Sequence, residues 1–233
     1  MEDLKLSIIV AAFNEEESIA STLEDLRPLA SPDAEILVID GGSDRTGEIV
    51  RAMESGMHGL RHIQHENDRG KGHAIRTGMR LARGARQVQF DADGQFCAKD
   101  IPALLAPIDE GTADVVLGSR FLPASGVDED ATLTRSAGNR IISAWTSLLF
   151  QHRMTDVLAG VKAWTRESVA TIYLRSDTFE YEVEIPARAL RRGLRVVDVP
   201  VSTRARDAGD SKVPIIRTGL KIILAALRFR LQP

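Results

Sequence analysis

Two carboxylates one residue apart, Asp91 and Asp93, follow the short strand-like run Gln87-Val88-Gln89-Phe90. A strand ending this way delivers both acids off the sheet edge into one small volume. Carboxylates that close repel each other unless a cation lies between them. A hard divalent ion with oxygen ligands, Mg²⁺ or Mn²⁺, meets that need, and such ions commonly arrive with substrate phosphates. Taken alone, the triplet reads more readily as a solvated acidic turn. The assignment therefore depends on what the rest of the chain brings to the same edge.

Two more strand ends carry acids. Asn14-Glu15-Glu16 follows the first apolar run, and Asp40 closes the second, before Gly41-Gly42-Ser43. In open α/β sheets, ligands bind beyond the carboxyl ends of parallel strands, so acids gathered there suit a metal and its phosphate ligand. Plainer roles compete: Glu15 to Glu17 can offset a helix dipole, and Asp40 can cap a turn. Gly70-Lys71-Gly72 opens a helix, and there Lys71 either does no more than start it or faces a nucleotide phosphate. The spacing is not that of a G-x-x-x-x-G-K-[ST] loop. No G-x-G-x-x-G follows the first strand, which disfavours a dinucleotide oxidoreductase. His73 reads as a helix-start residue.

The elements that must position these groups alternate over the first ~120 residues, strand then amphipathic helix, as in a mostly parallel sheet with helical crossovers. Strands are expected at 6–11, 35–40, 61–64, 88–90 and 114–118, with helices at about 16–26, 46–54 and 70–81. The second half changes character. Ile141, Ile142, Trp145, Leu148 and Leu149 recur at helical spacing over 137–150, a late strand is expected at 194–201, and 204–212 is a polar loop. A second amphipathic helix is expected over 214–231, with Arg217, Lys221 and Arg228 along one side. The expected fold is α/β: one domain over 1–213 and a C-terminal amphipathic interface helix at 214–233.

Composition narrows the partners. The 233 residues are 43% hydrophobic and 27% charged, ordinary for a globular protein. From Arg188 onward there are 11 Lys/Arg against three Asp, although the whole chain has a net charge of −3. A basic tail on an acidic body points to an anionic partner, phosphate or phospholipid surface. Nucleic acid is disfavoured, because aromatic residues, at 5%, are too few for base stacking. The single cysteine, Cys97, allows no intramolecular disulfide and fits a reducing compartment. The N-terminus runs straight into a strand without a signal peptide, and no stretch approaches the ~20 apolar residues of a spanning helix. A cytoplasmic protein is expected, with peripheral contact to the cytoplasmic face of a membrane.

Five blocks together resemble the inverting GT-A glycosyltransferases of family 2: Ala11-Ala12-Phe13-Asn14-Glu15, Val38 to Thr46, Gly70-Lys71-Gly72-His73-Ala74, Asp91-Ala92-Asp93-Gly94-Gln95 and Gly118-Ser119-Arg120. Three later blocks are similar to the dolichyl- and polyprenyl-phosphate mannose or glucose synthases: Thr155 to Trp164, Phe179 to Glu184, and Arg206-Asp207-Ala208-Gly209-Asp210-Ser211-Lys212. The resemblance spans about 6–213. It departs at Ala11, where proline is usual, at Phe13, where tyrosine is usual, and at Gly41, where a second consecutive acid is usual.

The resemblance implies a Rossmann-like GT-A sheet and a metal-dependent transfer of a hexose, mannose from GDP-mannose favoured, to a polyprenyl or dolichyl phosphate. The alternative is a soluble family 2 enzyme taking a UDP-sugar and a hydroxyl acceptor. It further implies that Ala11, Phe13, Glu15, Val38 and Asp40 line the nucleoside pocket, with Lys71, Ala92, Arg206 and Lys212 also on the donor. Asp91 and Asp93, helped by Gln95, would hold Mg²⁺ or Mn²⁺. Arg120 and Arg135 would hold the acceptor phosphate, which makes Asp91, Asp93 and Arg120 the catalytic set. An ionised phosphate needs no strong base; a hydroxyl would need one, and Asp156 is then the first suspect.

Overall fold

In a computed structural model of the protein, residues 4–123, 125, 133–204 and 215–231 are described, side chains of 133–135 and 215–216 excepted. Strands β1 (Leu6–Ala12), β2 (Ala34–Asp40), β3 (Leu60–Gln64), β4 (Arg86–Asp91), β5 (Val115–Ser119), β6 (Lys162–Thr165) and β7 (Val196–Pro200) form one sheet in the order β3-β2-β1-β4-β6-β5-β7. Between them run α1 (Ile19–Leu26), α2 (Thr46–Glu54), α3 (Lys71–Leu81), α4 (Ile101–Asp109), α5 (Leu133–Phe150), α6 (Arg166–Thr171), α7 (Tyr181–Arg191) and, at the end, α8 (Ile215–Leu231).

β1 and β2 read as unbroken apolar runs because helices cover both faces of a parallel sheet. Ile8, Val10, Ile36 and Val38 pack into the core on one side, with Leu23 of α1 and Val50 of α2. Ile9, Leu37 and Ile39 pack on the other, with Ile75 of α3 and Trp164. All neighbours pair in parallel except β6, which is antiparallel to both β4 and β5. The sheet is thus mostly parallel, as expected. The wedge of β6 matters for function: its register sets Lys162 opposite Gln89 and brings the preceding Gly160 beside the end of β4.

α5 and α8 pack on each other beside α7. Trp145 Nε1 donates to the Ile223 carbonyl (3.2 Å) and Arg230 Nε to the Leu149 carbonyl (2.9 Å). α8 has two apolar faces. Ile222, Ala225, Ala226 and Phe229 are buried, whereas Leu220, Leu224, Leu227 and Leu231 are exposed, as are Ile141 and Leu148 of α5. Among the described residues no helix is long and apolar enough to cross a membrane.

Candidate active site

β4 delivers its acids as the strand-end pattern requires. Asp91 is the last residue of the strand, half-buried, and Asp93 lies in the following turn, where its Oδ1 accepts the Gln95 N–H (3.2 Å). Ala92 between them is buried, and its carbonyl accepts Thr22 Oγ1 (2.9 Å), which ties the turn to α1. Gly160 presses on the Asp91 carboxylate so closely that an added Cβ would collide with it. No side chain but hydrogen fits there.

A chain of buried charges runs inward from Asp91. Lys71, in the first turn of α3, places Nζ 2.7 Å from Asp91 Oδ1 and 3.5 Å from Glu182 Oε1. Glu182, in the first turn of α7, also pairs with the fully buried Lys162 and accepts the Tyr181 hydroxyl. Lys162 Nζ donates besides to the Ala159 carbonyl (2.6 Å), and Gln89 Nε2 donates to the Tyr181 oxygen (2.9 Å). Burial pushes the Asp91 carboxyl up to about 6 against the pull of Lys71, with Asp93 and Glu182 adding to the rise. Burial would push Glu182 the same way, but Lys162 and Lys71 outweigh it and hold that carboxyl below its ordinary value. Lys71 likewise stays above its ordinary range: Asp91 and Glu182 overcome the cost of its burial. An uncompensated charge here would be severely destabilising; two lysines and two acids compensate one another.

The ends of β1, β2 and β3, where the nucleoside pocket was expected, form the adjoining part of the edge. Phe13 is 54% exposed and Ala11 half-buried. Glu15 Oε2 accepts Ser18 Oγ (2.8 Å), and the Glu15 N–H donates to Thr46 Oγ1 (2.9 Å). Asp40 is only 2% exposed, with Oδ1 accepting the Gly42 N–H (2.9 Å) and Oδ2 lying 3.0 Å from His62 Nε2. Val38, also expected in the pocket, has its side chain wholly buried in the core, two residues short of the strand end. Alternation along β2 turns it to the α1/α2 side. At Gly41, where a second acid is usual, an added Cβ would stand 2.7 Å from both Cβ and Cγ of Asp68. The Asp68 side chain fills the volume that position 41 leaves open.

On the opposite side, Arg120 follows β5 and grips Asp156 through Nε (2.6 Å) and Nη2 (2.9 Å), while its N–H reaches the same carboxylate (3.2 Å). Asp156 is 0% exposed. A groove of about 440 Å³ opens alongside, lined by Phe121, Arg140, Ser143, Ser147, Arg153 and Thr155 among others. Arg140 lies over the Phe121 ring, 4.7 Å from its centre. Of the expected donor and acceptor cations, Arg206 and Lys212 lie outside the described residues, as does the side chain of Arg135 in the first turn of α5.

The residues at the β4 end suit a divalent ion. Asp91 and Asp93 present carboxylate oxygens at the strand end, Asp91 Oδ1 being held by the Lys71 ammonium 2.7 Å away, and carboxylate oxygens are the ligands Mg²⁺ and Mn²⁺ take. What sequence reading missed is the support: Lys162, Tyr181, Glu182, Gly160 and Gln89. Their trace was present as a lysine inside Val161-Lys162-Ala163-Trp164 and acids inside Tyr181-Glu182-Val183-Glu184-Ile185, charges set in otherwise apolar runs.

The chain is similar to known proteins in sequence and in fold. The family described as Glycosyl transferase family 2 matches residues 7–178. The chain is 34% identical over 224 residues to the glycosyltransferase AglJ of Haloferax volcanii, covering 95% of this chain and 70% of that one. It is 32% identical over 253 residues to the undecaprenyl-phosphate mannosyltransferase of Micrococcus luteus, covering 98% and 99%. In fold it is similar to the glucosyl-3-phosphoglycerate synthase of Mycobacterium tuberculosis solved with Mn²⁺, UDP-glucose and phosphoglyceric acid: TM-score 0.77, 19% identity, 99% of this chain and 81% of that one.

Proposed function

The chain belongs to glycosyl transferase family 2, and from that membership we propose that it moves a hexose from a nucleotide sugar to a polyprenyl or dolichyl phosphate, inverting the anomeric carbon. Mannose from GDP-mannose is the favoured donor, in keeping with the likeness to the Micrococcus luteus mannosyltransferase. The observation that carries the acceptor half is the Arg120–Asp156 pair. Asp156, the first suspect for a base, is fully buried and spends both oxygens on Arg120. A hydroxyl acceptor needs a group to take its proton. A phosphate monoester is already ionised and needs a held cation instead, which Asp156 makes of Arg120.

In this reading Asp91 and Asp93, with Gln95, hold Mg²⁺ or Mn²⁺. When bound, the ion neutralises charge on the departing nucleoside diphosphate. Lys71 sits on the same edge between Asp91 and Glu182, a cation within reach of donor phosphates. Ala11, Phe13, Glu15 and Asp40 flank the nucleoside. Arg135 joins Arg120 on the acceptor, and Arg206 and Lys212 lie over the donor. In-line attack by the acceptor oxygen then depends on orientation, not on proton transfer.

A lipid phosphate lies in a bilayer, so the 1–213 catalytic domain must meet one. The exposed Leu220, Leu224, Leu227 and Leu231 of α8, with Arg217, Lys221, Arg228 and Arg230, make α8 the peripheral contact on the cytoplasmic face. The test is product analysis: GDP-mannose, UDP-glucose and UDP-N-acetylglucosamine, each with a short-chain polyprenyl phosphate and Mg²⁺ or Mn²⁺. A β-linked mannosyl phospholipid is expected from GDP-mannose. Transfer only to water-soluble hydroxyl acceptors would overturn the reading.

A further inference from the structure

A second group of ligating atoms is made of residues other than the β4 acids, none of them given a role in the transfer above. His65 follows β3, Asp68 stands three residues on, and His73 is in the first turn of α3. One ligand atom from each lies within 4.8 Å of the others. His65 Nδ1 is 3.0 Å from Asp68 Oδ1, and His73 Nδ1 is 3.9 Å from that same oxygen. Neighbouring ligands of a tetrahedral ion with ~2.1 Å bonds stand about 3.4 Å apart. The two separations from Asp68 Oδ1 bracket that value, and side-chain rotation would have to draw the two imidazoles together from within 4.8 Å.

Two further observations point the same way. His73 Nδ1 is buried and makes no hydrogen bond among the described residues. It faces Asp68 with a lone pair or a proton and no aligned partner. His65 is fixed from behind, its Nε2 lying 3.1 Å from Thr77 Oγ1. Such an outer contact sets the ring of a metal-binding histidine and assigns its other nitrogen to the ion. The backbone is held as well: the His73 N–H donates to the Gly70 and Asp177 carbonyls (2.9 and 3.0 Å), and Asp68 Oδ1 accepts the Gly70 N–H (3.2 Å).

We propose that His65, Asp68 and His73 form a second metal site, which takes Zn²⁺ independently of the oxygen-ligand site at Asp91 and Asp93. Two imidazoles and one carboxylate suit a borderline ion such as Zn²⁺ or Co²⁺ and not Mg²⁺. The ion would clip the loop after β3 to the start of α3. Because the His65 N–H donates to the Asp40 carbonyl (2.7 Å) and Asp68 packs on Gly41, it would also brace the end of β2. The role is structural, with the remaining ligand position left to water.

The experiment is a Co²⁺ titration of the metal-free full chain, followed by visible absorption and by calorimetry. The variants are His73→Gln, Asp68→Asn and the double variant Asp91→Asn/Asp93→Asn. One equivalent of Co²⁺ with the absorption bands of a nitrogen-ligated ion is expected in the wild type and in the double variant. At least tenfold weaker binding is expected in His73→Gln and in Asp68→Asn. Zn²⁺ should raise the unfolding temperature of the wild type and not of His73→Gln, whose fold is checked by circular dichroism. Equal binding by wild type, His73→Gln and Asp68→Asn overturns the proposal. So does loss of all Co²⁺ binding in the double variant.

Discussion

A carboxylate at the end of a strand is useful only if something holds it ionised and in place. Asp91 shows both parts: burial raises it to about 6, and Lys71 at 2.7 Å opposes that rise. Asp91→Asn or Asp93→Asn should therefore reduce transfer by at least ~10³-fold, because charge facing the leaving diphosphate is lost. The unfolding midpoint of Asp93→Asn should stay close to that of the wild type, whereas Asp91→Asn, which takes one acid from Lys71, should lower it, and EDTA should silence the wild type reversibly. Full turnover in chelator would exclude the metal. Glu182→Gln should behave differently, because it strands Lys162 without a counter-charge at 0% exposure. Breaking a buried pair this way costs roughly 3–5 kcal/mol, to be read by denaturant unfolding. Asp198, bound to Thr155 of the groove wall, offers a pH test. Burial raises its carboxyl, although Thr155 donates to Oδ2 through both its N–H and Oγ1 (2.5 Å each). A raised folded value means that ionised Asp198 opposes folding above it, and that this cost fades as pH falls through it. Asp198→Asn should thus be the more stable protein at neutral pH. The difference should vanish in acid, in the window just above the ordinary carboxylate value; thermal melts across pH decide it.

At the scale of elements, what could be read in advance depended on where each element's partners lie in the chain. β1, β2 and α2 are fixed by local pattern: unbroken apolar runs buried on both faces, and a helix running over Thr46–Glu54 as its periodicity requires. β6 has four residues, one of them the buried Lys162, and its burial comes from pairing between two distant strands. No local period signals that. α7 was hidden for a related reason, since Glu182 and Glu184 interrupt its apolar face and are neutralised only by Lys162, Lys71 and Arg188 from across the fold or one turn on. The acids of the site were legible because strand ends are; their support was not. Gly160, just before β6, tests the link between element and chemistry. Gly160→Ala should displace the Asp91 carboxylate, costing about 1–3 kcal/mol of stability through overpacking and most of the metal affinity. Calorimetry with Mn²⁺ should show the second loss even where unfolding shows little of the first. Wild-type affinity in that variant would mean the turn adapts freely.

At the scale of the whole molecule, the proposed lipid-phosphate acceptor calls for a surface that meets a membrane. α8 resolves the ambiguity of an amphipathic stripe by having two: one face buried on its neighbours, the other presenting Leu220, Leu224, Leu227 and Leu231. Near an anionic membrane each basic residue contributes roughly 1 kcal/mol, and salt screens that term. Co-sedimentation with vesicles containing anionic lipid should therefore be strong at low salt and weak at high salt. Lys221→Gln/Arg228→Gln should weaken it by about tenfold or more on the same per-residue scale. Leu220→Gln/Leu224→Gln should weaken it at every salt concentration, because apolar insertion is not screened. Binding unaffected by either pair would place the membrane contact elsewhere.

The Asp68 side chain standing beyond Gly41 has a consequence for how sequences of this kind are compared. Read column by column, position 41 records the loss of an acid; read in space, the acid has changed its address, from the end of β2 to the loop after β3. The two addresses exclude each other, since both cannot be filled. Gly41→Asp alone should destabilise the protein, and Gly41→Asp with Asp68→Gly should recover most of the loss by equilibrium unfolding. Relatives should then carry the acid at one address or the other. Those with it at 41 would retain the charge and forfeit the carboxylate that lies between His65 and His73.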